Sequence, residues 1–242
     1  MDQYISTLYQ IVTRGSNTNS YKFALWRALA SFAPSTDEQN PDISKHDFAP
    51  LFLKYYWPLE VKYHIRQGID PDKDPIVMKL IRQLIKAGKI DQGETLEEFK
   101  KRVPEDYNAL TDKIAHKAFE YVIPCFHTVS GTSITPNIFE FTGRPGHAGD
   151  VIKLTGNGRQ LLIHYRKLID YVAVSGWVRF TEGFTSAPKL HDKIDGSEVN
   201  KGHIRPGAKV LPHFVEWHSR DLSSHIKGLY DQAVADKFPK WN

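Results

Sequence analysis

Three residues between positions 42 and 62 match a sequence motif of nucleases. Asp42, Glu60 and Lys62 match the PD-(D/E)xK endonuclease motif, with Pro41 before the aspartate. In that motif the two carboxylates hold a divalent metal ion and the lysine orients the attacking water. The glutamate and the lysine must share a strand, where residues i and i+2 point to the same face. The local secondary structure therefore decides whether these three residues can form a metal-dependent active site.

The residues around Glu60 follow a helical pattern instead. Apolar side chains recur every three or four positions from residue 48 to residue 63, and Ser44 with Asp47 forms an S-x-x-D capping box ahead of them. On a helix Glu60 and Lys62 diverge by about 200°. We therefore interpret both as part of a solvated helix face, and we keep the metal-dependent endonuclease as an alternative.

A second set of metal-ligand types lies near the C-terminus, at His213, Glu216, His218 and Asp221. The two histidines would lie about 140° apart on a helix and on opposite faces of a strand. We therefore predict no metal site there, and the preferred interpretation of the whole chain includes no metal and no cofactor. The His213–His218 region stays open only as part of the endonuclease alternative.

Cys125 is the only cysteine, so the chain has no intramolecular disulfide and no thiolate cage for zinc. Its neighbours Val122, Ile123 and Phe126 are apolar, which predicts a buried structural thiol. His127 is too close in sequence to be a convincing catalytic partner.

The composition is that of an ordinary soluble protein. Its 242 residues are 40% hydrophobic, no apolar run reaches the length of a membrane span, and the first residues are acidic where a signal peptide is basic. We therefore expect a cytoplasmic location. The net charge is +4, and residues 129–242 hold all of this excess, with 15 basic and 11 acidic residues. Such an excess permits contact with DNA without requiring it.

Seven basic residues in the second half are the predicted contacts to a DNA backbone. Several of them flank glycine-rich segments at 143–149 and 155–159, where backbone N–H groups can approach an anion. They are Arg144, Lys153, Arg159, Arg166, Lys167, Lys201 and Arg205. The aromatic residues that could stack on bases have helical spacing, and we assign them to the core: Trp26, Tyr55, Tyr56 and Trp57.

The sequence predicts a mainly α fold, an irregular multi-helix domain with one small β-hairpin and a C-terminal arm plus helix. Residues 1–128 read as helices, one of them from about Ser44 to Arg66 with a kink or break expected at Pro50 and Pro58, near Ala49 or Trp57. Further helix boundaries are predicted from an Asp74 cap before Pro75, a left-handed C-cap at Gly88, a capping box of Thr95 with Glu98, and Pro104 at a helix start. Residues 129–184 read as a hairpin and a long helix packed on that region. Residues 185–242 read as a polar arm followed by an amphipathic helix.

Short, mostly apolar signatures recur along residues 18–182. They comprise residues 20–29, 55–59, 65–67, 122–126 and 151–154, followed by a helical pattern through Tyr165, Leu168, Ile169 and Trp177. Together they resemble the helical region that precedes an HNH nuclease module in bacterial restriction and phage-defence proteins. The resemblance implies a helical body that works beside a nuclease.

The HNH module itself is not found in this chain. Such a module needs a histidine base and a metal-binding His or Asn–His pair, often with Cys-x-x-Cys pairs. The resemblance without the module implies a catalytically silent accessory subunit of a DNA-targeting defence or restriction complex. Its partner would be a nuclease or a structural-maintenance-type ATPase, as in Lamassu-like systems. A stand-alone DNA-binding protein remains a further alternative.

The C-terminal segment is the predicted docking element for that partner. A polar arm followed by an amphipathic helix is typical of a segment that orders on binding. The candidate anchors are its large apolar residues Phe214, Trp217, Leu222, Ile226 and Tyr230.

Overall fold

A computed structural model describes residues 2–14, 17–37, 39–144, 147–187 and 189–195. These residues form mainly helices with a small antiparallel sheet, which confirms the predicted mainly α class. The helices are α1 (Asp2–Arg14), α2 (Tyr21–Phe32), α3 (Lys45–Val61), α4 (Ile76–Lys86), α5 (Leu96–Arg102), α6 (Pro104–Lys117), α7 (Phe119–Val122), α8 (Gly156–His164), α9 (Arg166–Glu182) and α10 (Leu190–Asp195). The strands are β1 (Asp42–Ser44), β2 (Thr128–Val129), β3 (Thr132–Ser133), β4 (Phe139–Arg144) and β5 (His147–Leu154).

Helix α3 begins at the predicted capping box. The Ser44 hydroxyl accepts a hydrogen bond from the backbone N–H of His46, and the Asp47 carboxylate accepts one from the backbone N–H of Ser44. These bonds satisfy N–H groups that the first turn of a helix leaves without an internal partner. The start of α3 is therefore fixed by local chemistry.

Helix α3 does not break at its prolines, contrary to the expectation of a kink or break. It is continuous through Pro50 and Pro58, although each proline removes a hydrogen bond of the helix. Phe52 and Trp57 on this helix are almost fully buried, so tertiary packing compensates for the missing bonds. The helix ends at Val61, earlier than the sequence suggests, and His64 beyond it adopts a left-handed φ of 51°.

Two further helix starts follow the sequence and one does not. Thr95 and Glu98 form the predicted capping box of α5, and Pro104 occupies the first position of α6. Asp74 was expected to cap α4, but Pro75 holds that position without a side-chain cap. The Asp74 carboxylate instead accepts from the backbone N–H groups of Gln67 and Gly68, at 2.8 and 2.7 Å.

The predicted hairpin is present as β4 and β5, and β1 adds a third strand to it. The strand order is β1-β5-β4, with all pairs antiparallel. Strand β1 was not predicted, because three residues are too few to show the alternation of apolar and polar side chains that identifies a strand. After the sheet, the predicted long helix is two helices, α8 and α9, which meet at Tyr165. Thr155 caps α8 by accepting from Gly158 N–H, and Gly158 lies so close to the Ile138 carbonyl that a Cβ would collide with it.

One hydrophobic core runs through the described residues from α1 to α10. Trp26, Tyr56 and Trp57 belong to it, as predicted, and Tyr55 packs against it while partly exposed. Leu190 and Ile194 of α10 are also buried in this core, so the packed body extends to residue 195. The predicted arm therefore does not begin at residue 185. Among the described residues, no helix has the length and apolar character needed to cross a membrane.

Candidate functional site

Glu60 lies inside helix α3 and not on a strand, so the endonuclease motif lacks the local structure that it requires. The residue is buried rather than solvent-facing, with 6% of its surface exposed, which corrects the prediction of a solvated position. Its carboxylate lies 2.8 Å from the Arg82 guanidinium of helix α4. This ion pair occupies the carboxylate that a metal ion would need.

Arg82 joins Glu60 to a second buried carboxylate. Its guanidinium also lies 2.8 Å from the Asp74 carboxylate, whose other oxygen holds the Gln67 and Gly68 N–H groups. Burial lowers the pKa of Arg82, but hydrogen bonds and attraction from Glu60 and Asp74 outweigh burial and raise that pKa above its usual value. We call Glu60, Asp74 and Arg82 the closed cluster. It ties the end of α3 to the following loop and to α4.

The other two residues of the endonuclease motif, Lys62 and Asp42, do not belong to the closed cluster. Lys62 is exposed at the C-terminal cap of α3, and its ammonium lies 4.9 Å from the centre of the Tyr63 ring. Asp42 is exposed on strand β1, directly opposite Lys153 of β5. With Glu60 paired internally, the three residues do not present a metal site of the endonuclease type.

The predicted DNA contacts divide into four groups, of which Lys153 forms one by itself. Arg166 and Lys167 are exposed in the first turn of α9 and can reach a phosphate. Arg159 donates from Nε to the Thr36 carbonyl at 2.8 Å, so it links α8 to the segment between α2 and β1. Lys201 and Arg205 lie outside the described residues, as does the side chain of Arg144.

Lys153 is exposed but lies between two acidic residues of the sheet. Asp42 on one neighbouring strand and Glu140 on the other are its direct cross-strand partners. Opposite charges in this arrangement attract one another and lower the positive potential that a phosphate would meet. Lys153 is therefore a weaker candidate contact than Arg166 and Lys167.

The predicted partner-binding residues and the C-terminal metal-ligand types both follow residue 195 in the chain. Phe214, Trp217, Leu222, Ile226 and Tyr230 lie outside the described residues. The His213–His218 region also lies outside them.

Cys125 is exposed, which corrects the prediction of a buried thiol. Its neighbours Ile123 and Phe126 are buried, but the cysteine itself follows the end of α7 in a turn and faces outward. His127 does not serve it as a base, because the imidazole Nε2 accepts a hydrogen bond from the backbone N–H of Ile138 at 3.0 Å. Burial lowers the pKa of His127 to about 4, with a smaller contribution from Lys22.

A further group of metal-ligand types was missed by the sequence analysis. His46 in the first turn of α3 meets Asp112 and His116 of α6 at the surface, with one donor atom from each side chain within 4.8 Å of the others. We call these three residues the open cluster, because all are exposed. The Asp112 carboxylate is 3.9 Å from Nδ1 of His46 and 3.5 Å from Nε2 of His116.

One part of the open cluster has a signal in the sequence. Asp112 and His116 are four residues apart on a helix that Pro104 opens, a spacing that places both on one face. His46 is more than sixty residues away, and only the packing of α3 against α6 brings it close.

Comparison with known families gives one match. The model of a domain of unknown function, DUF8808, matches residues 2–195. The chain belongs to this family. The family match ends at residue 195, which is also the last described residue. Neither a curated protein nor a solved structure shows significant similarity to the chain.

Proposed function

We propose that this protein of the DUF8808 family is a catalytically silent accessory subunit of a bacterial DNA-targeting defence or restriction complex. It acts in the cytoplasm and docks on a nuclease or on a structural-maintenance-type ATPase. The resemblance of residues 18–182 to a region coupled to nucleases motivates this assignment.

The observation that carries the silent role is the state of Glu60. A catalytic carboxylate must be open to a metal ion and to substrate. Glu60 is instead buried on a helix and paired with Arg82 at 2.8 Å. Its charge serves folding, which favours an accessory role over the endonuclease alternative.

Contact with DNA has limited support on the described surface. Arg166 and Lys167 are adjacent exposed cations at the start of α9, whereas Arg159 and Lys153 have structural or acidic neighbours. Among the predicted contacts whose side chains the structure describes, these two are far fewer than a protein needs to bind DNA alone at physiological salt. We therefore assign DNA contact as an auxiliary role within the complex and rank the stand-alone DNA-binding protein below it.

Docking on the partner is assigned to residues 196–242. The family match ends at residue 195, and the described residues up to that point hold a hydrophobic core of their own. It contains Phe214, Trp217, Leu222, Ile226 and Tyr230, residue types that include frequent interface anchors.

Co-purification from the native host tests this proposal. The tagged full chain is expected to retain a nuclease or ATPase encoded beside it, and a chain ending at Asp195 is expected to lose that partner while staying folded. The matched control is a full-length chain with Arg166 and Lys167 changed to Ala, which should keep the partner. Purification of the full chain alone, or equal partner capture by the truncated chain, would contradict the assignment.

A further inference from the structure

We propose that the open cluster, His46 with Asp112 and His116, is a binding site for a divalent transition-metal ion, with Zn²⁺ as the ion that fits its donors best. The inference does not depend on the proposed accessory role. It starts from the three donor atoms, which lie within 4.8 Å of one another on two packed helices.

The backbone beneath the open cluster is held in place by packing and capping. Phe48, two residues after His46, is fully buried in the common core. On the other helix, Ile114 and Ala115 are fully buried between Asp112 and His116. The approach of the three ligands is therefore set by the core beneath them and does not depend on mobile loops.

The donor set determines which metal fits. Two imidazole nitrogens and one carboxylate oxygen, without a thiolate, suit Zn²⁺ and related first-row divalent ions. Mg²⁺ and Ca²⁺ prefer oxygen ligands throughout and are poorly matched to two histidines. Three protein ligands leave the fourth position of a tetrahedral zinc ion to water or to another molecule.

Two of the three distances between ligand atoms require only a small contraction, and one nitrogen of each histidine lies within 4.8 Å of the other. Tetrahedral zinc with bonds of about 2.1 Å holds its ligand atoms roughly 3.4 Å apart. The Asp112 carboxylate is already 3.5 Å from His116 Nε2 and 3.9 Å from His46 Nδ1. All three side chains are more than half exposed, so their rotamers can adjust without disturbing the core.

The local charges favour a cation at one helix and oppose it at the other. His116 lies in the last turn of α6, where the helix dipole attracts positive charge. His46 lies in the first turn of α3, where the dipole repels a cation, but Asp47 in that same turn has the opposite charge. The Asp112 carboxylate lies within 3.9 Å of a nitrogen of each ring and supplies the negative charge that the ion would meet, whereas Lys45 and Lys113 beside the ligands in sequence carry positive charge.

Without a metal, the same residues form only weak surface contacts. The two rings stand nearly perpendicular with centroids 5.4 Å apart, and histidine–aspartate pairs this exposed contribute little to folding. Folding therefore gains little from placing these three ligand types together. Metal binding gives that placement a role, by joining the start of α3 to the end of α6.

Zinc titration of the full-length protein by calorimetry tests the site. Wild type is expected to bind one Zn²⁺ with an affinity in the micromolar range or tighter. His46→Ala, His116→Ala and Asp112→Asn should each weaken that binding by about tenfold or more, since each removes a direct ligand. His46→Ala keeps the capping box, because Ser44 accepts from the backbone N–H at that position.

The matched control is His164→Ala, which removes an exposed histidine from the last turn of α8. This variant should bind zinc like wild type. Because the chain has 11 histidines, it tests whether removing a surface histidine outside the open cluster also weakens zinc binding. Circular dichroism checks that every variant remains folded. Absence of zinc binding to wild type, or equal binding by wild type and the three ligand variants, would overturn the proposal.

Discussion

Helix α3 carries a charged cluster at each end, and the two clusters differ in what surrounds them. At its C-terminal end, Glu60 and Asp74 are buried, and both carboxylates lie 2.8 Å from the guanidinium of Arg82, whose side chain is 33% exposed. At its N-terminal end, His46 lies beside Asp112 and His116, and all three side chains are exposed. The Asp112 carboxylate is 3.9 Å from His46 and 3.5 Å from His116. Glu60 of the closed cluster belongs to a sequence motif that resembles an active site, whereas no residue of the open cluster belongs to such a motif.

The difference shows that residue letters alone do not identify a site. A buried ion pair satisfies its own charges, so it has no capacity left for a ligand and its loss damages the fold. An exposed group of ligands adds little stability, so its members can respond to a metal ion or a partner. The structure therefore assigns a folding role to the end that looks catalytic and leaves the other end available for binding.

Arg82→Ala is the strongest test of this comparison. Removing the arginine leaves Glu60 and Asp74 buried without their cation, which should cost about 3–5 kcal/mol of unfolding free energy. Urea unfolding followed by tryptophan fluorescence measures the loss. Lys86→Ala, one turn later on α4 and exposed, is the control and should behave like wild type. A stability change below about 1 kcal/mol for Arg82→Ala would mean that the closed cluster does not hold the fold.

The comparison between buried and exposed groups also applies to histidines, because His127 is buried whereas His46 and His116 are exposed. Its pKa is lowered to about 4 by burial, from 6.5 in an unfolded chain, so the unfolded state binds the proton first as the pH falls. The native state should lose about 2 kcal/mol through this group between pH 7 and pH 5, with the loss complete below pH 4. Unfolding of wild type and His127→Gln at both pH values should show this loss in wild type alone. An identical pH dependence in the two proteins would contradict a buried, neutral His127.

Replacing a residue of the open cluster with alanine should have little effect on the stability of the fold. In metal-free buffer, His116→Ala is expected to change the unfolding free energy by no more than about 0.5 kcal/mol, as for other exposed positions. The measurement is the same urea titration, with a chelator present. A loss of about 2 kcal/mol or more would show that the open cluster supports folding by itself.

Sequence reasoning succeeded where the cause is local. The capping boxes at Ser44 and Thr95 use residues three positions apart, and the start of α6 follows from Pro104. The left-handed Gly88 after α4 likewise follows from the freedom of glycine at positive φ. These signals lie within a few residues of the structure that they predict.

Sequence reasoning failed where the cause lies far along the chain. Burial of Glu60 depends on Arg82, twenty-two positions later, and the continuity of α3 through its prolines depends on the packing of several other elements. The open cluster joins His46 to a helix more than sixty residues away. The exposure of Cys125 is set by a turn among buried apolar neighbours, which a list of neighbours cannot reveal.

The most direct test of the silent role uses Lys62, because it is exposed and can be changed without unfolding the chain. Lys62→Ala is introduced into the complex purified from its native host, and DNA cleavage by that complex is compared with wild type. The account predicts cleavage within about threefold of wild type, since the substitution is at the surface and outside any active site. A loss of about hundredfold or more, with the melting temperature unchanged, is the effect of removing a catalytic group and would contradict the account.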